Sequence, residues 1–206
     1  MTDLRVYLML EDLQPQFAAY FSSPMRARAY PPRRGQHSLI IEVAPALSIH
    51  EIADLALKAE KDLEPGILFT ERQFGLLELH SDSLDRLKRA GEAILTGIGI
   101  KASDQRSPTI IYQNLIEDLS DQHAIIMNRT RDGALLVPGT SMLICEVEPA
   151  LFACVAANEA EKVVTDLNIH DVQMMGATGR LCISGSSQEM KKIQKRINQV
   201  LKEVGS

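Results

Sequence analysis

Apolar positions along the chain follow two periods, and the order of periods occurs twice. Alternation or short apolar runs predict strands at Leu4–Leu10, Ser38–Val43, Ile67–Thr70 and Phe74–Leu79. The same signals return at Thr109–Leu115, Ser141–Val147, Asp171–Met175 and Gly179–Ser184. Helical spacing lies between them. Ile49, Ile52, Ala53, Ala56 and Ala59 form one face behind Ser48 and Glu51, a capping-box pattern. The second copy, "FACVAANEAEKVV", is rich in alanine, which lets a helix approach a neighbour closely. A last helix closes each half. Its apolar stripe is Leu84, Leu87, Gly91, Ile94 and Ile98, then Met190, Ile193, Ile197, Leu201 and Val204. Ser186 and Glu189 form a second capping box. Ala44-Pro45 and Glu148-Pro149 end the apolar strands, since proline donates no ladder hydrogen bond.

The halves are a repeat. "EDLQPQFA" at Glu11–Ala18 returns as "EDLSDQHA" at Glu117–Ala124, and "LIIEVAPAL" at Leu39–Leu47 returns as "LICEVEPAL" at Leu143–Leu151. The spacing is 106 residues for the first pair and 104 for the second. Strands and helices do not alternate strictly, so each half reads as an α+β domain rather than a doubly wound parallel sheet. The polar stretch Ile100–Pro108 holds the boundary, giving domains over residues 1–102 and 103–206.

Composition narrows the function. The 206 residues are 45% hydrophobic and 24% charged, an ordinary globular balance. A net charge of −5 with 4% aromatics argues against nucleic acid as a partner. No apolar run is long enough to span a bilayer, and the first residues lack a basic leader region; we expect a cytoplasmic protein without membrane partners. Cys145, Cys154 and Cys182 lie in apolar surroundings and read as small buried side chains. Asn128-Arg129-Thr130 matches a glycosylation sequon, which has no meaning in the cytoplasm.

No catalytic constellation is visible. "TGIGIK" sits at a helix end and not after a strand, so it is no dinucleotide fingerprint. His37, His50, His80, His123 and His170 lack metal-ligand spacing and read as surface or boundary residues. Neither a metal nor a cofactor is expected. Glu11, Asp12, Glu117 and Asp118 recur in both halves, which argues for a structural role. Arg26, Arg28, Arg33 and Arg34 form a basic loop suited to an acidic partner or to solvent, and "NRTRDG" repeats its Arg-x-Arg. Two similar halves, a small-residue helix and no catalytic set point to assembly: three chains would place six similar domains about one axis.

One stretch stands out. In "GILFTERQFGLLEL", Glu71 and Arg72 occupy a tight connection that Gly, Asn, Asp or Ser would make better. In the second half Met175 and Gly176 stand at these places, and Ala177, Thr178 and Gly179 match Gln73, Phe74 and Gly75. The charges are therefore dispensable for making the turn.

Over nearly its whole length, from Leu4 to about Val204, the chain resembles the tandem-domain, trimer-forming shell proteins of bacterial microcompartments. It is most similar to the double-stacking type associated with carboxysome shells. The resemblance is carried by "LRVYLMLEDLQPQ", "LIIEVAPAL", "GILFTERQFGLLELH", "LLVPGTSMLICEVEPALFACVAANEAEKV" and "GATGRL". It implies two tandem permuted shell domains, each an antiparallel sheet flanked by helices. It implies a homotrimer that mimics a hexagonal tile, stacks as a dimer of trimers, and meets other shell proteins. It further implies a central pore for metabolites, gated by Glu71 and Arg72, with Thr70, Gln73, Phe74, Gly75 and Met175–Gly179 as neighbours. Gln73 departs from the family pattern, which has an apolar residue there, and the departure bears on packing behind the gate. The rival reading is a ligand-sensing regulator of tandem ferredoxin-like domains, which predicts a small-molecule pocket. An enzyme is the least supported class.

Overall fold

The computed structural model describes residues 2–21, 29–130 and 132–205. The chain divides at Arg106/Ser107 into two compact units. In the first, the order is β1 (Asp3–Leu10), α1 (Pro15–Phe21), β2 (His37–Ala44), α2 (Ile49–Ala59), β3 (Glu64–Thr70), β4 (Gly75–Ser81) and α3 (Leu84–Ile98). The second repeats it as β5 (Thr109–Ile116), α4 (Asp121–Asn128), β6 (Ser141–Glu148), α5 (Phe152–Val163), β7 (Asn168–Gln173), β8 (Gly179–Gly185) and α6 (Ser187–Val204).

Each unit holds a four-stranded sheet, ordered β1-β2-β4-β3 and β5-β6-β8-β7, with every neighbouring pair antiparallel. β2, α2 and β3 therefore make a split βαβ unit with β4 inserted between its strands. β1, which would come last in an unpermuted βαββαβ chain, instead comes first.

Alternation along the strands sorts side chains onto two faces. Leu39, Ile41, Val43, Leu77 and Leu79 meet Ile49, Ile52 and Ala56 of α2 and Leu87, Ala90 and Ile94 of α3 in one buried cluster. The other face of β2 and β4 carries Ser38, Glu42, Glu78 and His80, all buried. Both units interrupt their sheets at matching places. The register slips at Arg5 and Ile111 on the first strands, and at Gly66 and His170 on the third. Such bulges re-aim one side chain.

The two short helices α1 and α4 lie in what the sequence presented as polar, turn-rich segments. Pro15 opens α1 at the first helical position, where its missing N–H costs nothing. Seven residues are too few to show a period, yet Phe17, Ala18, Tyr20 and Phe21 are buried. The repeated acids have a conformational reason: Asp12 and Asp118 both adopt positive φ, 56° and 51°, a region Asp enters more readily than most residues.

The two capping boxes differ. Ser186 Oγ accepts from the Glu189 N–H and Glu189 Oε2 accepts from the Ser186 N–H, so α6 is capped as expected. Ser48 forms no such cap. A 3₁₀ turn over Ala46–Ser48 precedes α2, and the Ser48 hydroxyl donates to the Pro45 carbonyl at 2.8 Å. Ser186→Ala should accordingly cost about 1 kcal/mol and Ser48→Ala only a few tenths, on the order of surface substitutions. Urea unfolding midpoints of the two variants check this.

Candidate functional site

Each unit presents one candidate hairpin tip. In the first unit β3 and β4 pair down to Thr70 opposite Gly75, leaving Glu71–Phe74 as the tip. The Glu71 N–H closes it by donating to the Phe74 carbonyl at 3.0 Å. Glu71 is half-buried, while Thr70, Arg72 and Gln73 are exposed. Among the described residues, neither the Glu71 nor the Arg72 side chain makes an ion pair or a side-chain hydrogen bond. Gln73 is exposed, and Phe74 is half-buried beside Arg5.

The root of this tip is tightly held. A Cβ on Gly75 would lie 2.2 Å from the Ala46 carbonyl oxygen and 2.6 Å from Ile49 Cβ. Under Phe74 sits Arg5, whose guanidinium carbon is 3.7 Å from the ring centroid. Arg5 sits at the bulge in β1 on the face of Glu42, and Arg5 Nε donates to Glu42 Oε1 at 2.7 Å. Both are buried, at 4% and 2% exposure. Burial pushes the Glu42 carboxyl above the usual range; the Arg5 guanidinium pulls it back in part, and Glu71 adds to the upward push.

The second tip spans residues 174–178, between Gln173 and Gly179. Gly176 adopts φ of 110°, whereas Arg72, its counterpart, has no positive φ. The uncharged tip thus turns through a backbone state that favours glycine, and the charged tip turns without it. Ala177 is exposed, and Met175, Gly176 and Thr178 are half-buried. Here Thr178 Oγ1 donates directly to Glu146 Oε1 at 2.7 Å, with Arg180 Nε at 3.4 Å from the same oxygen. The Thr178 bond, aided by Arg180, holds the Glu146 carboxyl below the usual range. Gly179 is as confined as Gly75: an added Cβ would lie 2.0 Å from the Ala150 carbonyl oxygen.

Other sequence candidates resolve differently. His80 and His170 are not surface residues; they are 0% and 2% exposed. His80 Nδ1 lies 3.1 Å from Glu78 Oε2, and Ser38 Oγ donates to Glu78 Oε1 at 2.6 Å. In the second unit His170 Nε2 meets Ser184 Oγ at 2.7 Å. These residues exchange places between units: Gly66, Glu78 and His80 correspond to His170, Cys182 and Ser184. A Cβ on Gly66 would fall 2.1 Å from Glu78 Oε2, so glycine makes room for that carboxylate. The sequence carried one signal for them, polar residues set at core positions of strands. The cysteines are buried and free, with thiols pushed up by burial to about 11 for Cys145 and about 12 for Cys182. Among the described residues no cluster of His, Cys, Asp or Glu could hold a metal ion, and no helix is long and apolar enough to cross a membrane. Arg33 and Arg34 are exposed; Arg26, Arg28 and Arg131 lie outside the described residues.

Comparison with known proteins places this geometry. Residues 4–104 match the CsoS1D N-terminal domain family. The chain is 35% identical over 188 residues to the carboxysome shell protein CcmP of Synechococcus elongatus, covering 91% of this chain and 86% of that one. It is 34% identical over 203 residues to the carboxysome shell protein CsoS1D of Hydrogenovibrio crunogenus, covering 98% and 97%. Among solved structures it superposes on the double-ringed trimeric shell protein MSM0271 of the RMM microcompartment with a TM-score of 0.94, 53% identity and coverage of 98% and 97%. The fused permuted hexameric shell protein MSM0275 of the same microcompartment gives 0.94 at 35% identity, covering 99% and 98%. The chain belongs to the CsoS1D and CcmP family of carboxysome shell proteins.

Proposed function

We propose that this chain is a structural, non-enzymatic component of a cytoplasmic microcompartment shell. Three copies form a pseudohexameric tile with six similar units about a threefold axis, and two tiles stack. A relative described as a double-ringed trimer, 53% identical, supports the stacking. The tile carries a central pore for metabolites, and Glu71 with Arg72 forms its gate.

The observation that carries the gate is the difference between the two tips. One presents a carboxylate and a guanidinium with no side-chain hydrogen-bond or ion-pair partner among the described residues; its twin is uncharged and tied to Glu146. Around a threefold axis the two kinds would alternate. Three like charges brought together repel unless opposite charges interleave. Glu71 and Arg72 supply both signs, so a closed ring can form carboxylate–guanidinium pairs between chains. Withdrawal would break those pairs and widen the hole. The guanidinium stays charged at neutral pH, which suits the passage of anionic metabolites.

Native mass spectrometry followed by structure determination of the Glu71→Ala, Arg72→Ala double variant tests this. The variant should assemble as three or six chains, like its parent, with the axis open in every copy. A monomeric or dimeric parent at micromolar concentration overturns the tile. A variant whose tip still occludes the axis overturns the gate.

A further inference from the structure

Both units secure the residue before the root glycine to the same strand position, by different chemistry. In the second unit Thr178 bonds straight to Glu146 of β6. In the first, Glu42 of β2 cannot be reached by Phe74, and Arg5 stands between them. It donates to Glu42 at 2.7 Å and presents its guanidinium to the Phe74 ring at 3.7 Å. The counterpart of Arg5 is Ile111, which sits at the matching bulge but is 49% exposed and has no such task. The β1 bulge and Arg5 are thus used together only under the charged tip. The backbone there is fixed too: the Arg5 carbonyl accepts from the Arg106 N–H at 3.0 Å, and Arg106 pairs with Asp3 at 2.9 Å.

We propose that Arg5, seated at its bulge and held by Glu42, is a positioning residue that anchors the charged tip through Phe74 and confines its movement to Glu71–Gln73. The proposal rests on the gate reading above and deepens it. The guanidinium, itself held by Glu42, covers the ring face and fixes Phe74 at the root of the tip, so that only the three residues before it move. Among the described residues Arg5 makes no hydrogen bond or ion pair with Glu71 or Arg72, so its influence passes through Phe74.

A spin label reads this directly. Gln73→Cys places an exposed attachment point in the tip, and the three native cysteines are buried. Ala177→Cys, exposed in the twin tip, serves as the internal control. In the full chain, Phe74→Leu should at least double the mobile fraction of the label at position 73 and leave position 177 unchanged. Phe74→Tyr, which keeps the ring, should restore the parent spectrum. Arg5→Lys keeps the charge toward Glu42 but has no planar face, and it should also loosen position 73; it decides the matter if Phe74→Leu fails to fold. Unchanged spectra at position 73 in both variants overturn the anchor. Equal loosening at 73 and 177 overturns it as well, since that marks general destabilisation. Distances among the three labels in the assembled trimer report on the gate separately. A single distance, the same in parent and variants, sinks the gate reading while label mobility still decides the anchor.

Discussion

Replacing Arg5 with alanine is expected to destabilise the first unit by about 3–5 kcal/mol, the usual cost of stranding a buried charge. Glu42 is 2% exposed, and Arg5 Nε is its ion-pair partner at 2.7 Å. Without the guanidinium, the buried carboxylate must remain charged without its hydrogen-bonded partner or take up a proton, and either route is costly. Burial raises the Glu42 pKa even with Arg5 beside it. The isolated energy of the pair is another matter. A buried pair replaced on both sides by apolar residues of similar size is often neutral or stabilising. Arg5→Met with Glu42→Leu should therefore recover most of the loss, to within about 1 kcal/mol of the parent. Chemical denaturation of the single and double variants checks both parts. A double variant as unstable as Arg5→Ala would show that the loss comes from packing and not from charge.

Gly179→Ala should cost about 3 kcal/mol, at the upper end of overpacking penalties. The added Cβ would meet the Ala150 carbonyl oxygen at 2.0 Å, its carbonyl carbon at 2.8 Å and its Cα at 2.9 Å. All three are backbone atoms, so no rotamer change relieves the clash, and the turn after Pro149 must move. Gly75→Ala meets a comparable obstacle in the Ala46 carbonyl oxygen at 2.2 Å. Gly66→Ala gives the contrast. Its closest clash, at 2.1 Å, is with Glu78 Oε2, a side-chain atom near His80, and the nearest backbone atom is the Tyr30 carbonyl oxygen at 3.1 Å, so relief there disturbs side-chain hydrogen bonds more than backbone. The unfolding midpoint should fall most for Gly179→Ala, and least for Gly66→Ala. Equal midpoints would mean that the turns following β2 and β6 yield without strain.

Local patterns reported the elements well where those elements are long. The repeat, the four strands of each unit and the four longer helices are all legible from apolar period, because each buries one face. α1 and α4 escaped, at seven and eight residues, because two turns supply too few apolar positions to establish a period. Ser48 shows a different limit. A Ser-x-x-Glu spacing describes what the side chains could do, and the 3₁₀ turn over Ala46–Ser48 directs the Ser48 hydroxyl to Pro45 instead. His80 and His170 were misplaced because a polar residue in a strand reveals neither its face nor its partner. His80 meets Glu78 of its own strand, which Ser38 of β2 holds in turn, and His170 meets Ser184 of the neighbouring β8.

The charged tip shows the same division. Its location, its charges and the uncharged twin could all be found along one dimension, since each is a matter of residue type at repeat-matched positions. The anchor beneath it could not. Arg5 and Phe74 stand 69 positions apart, and neither has meaning for the other until the folded sheet brings them together. The chain's linear order determines which residues are available twice and which only once. Only the tertiary structure decides which distant groups meet, because a contact between strands depends on register, and register is a property of the folded sheet.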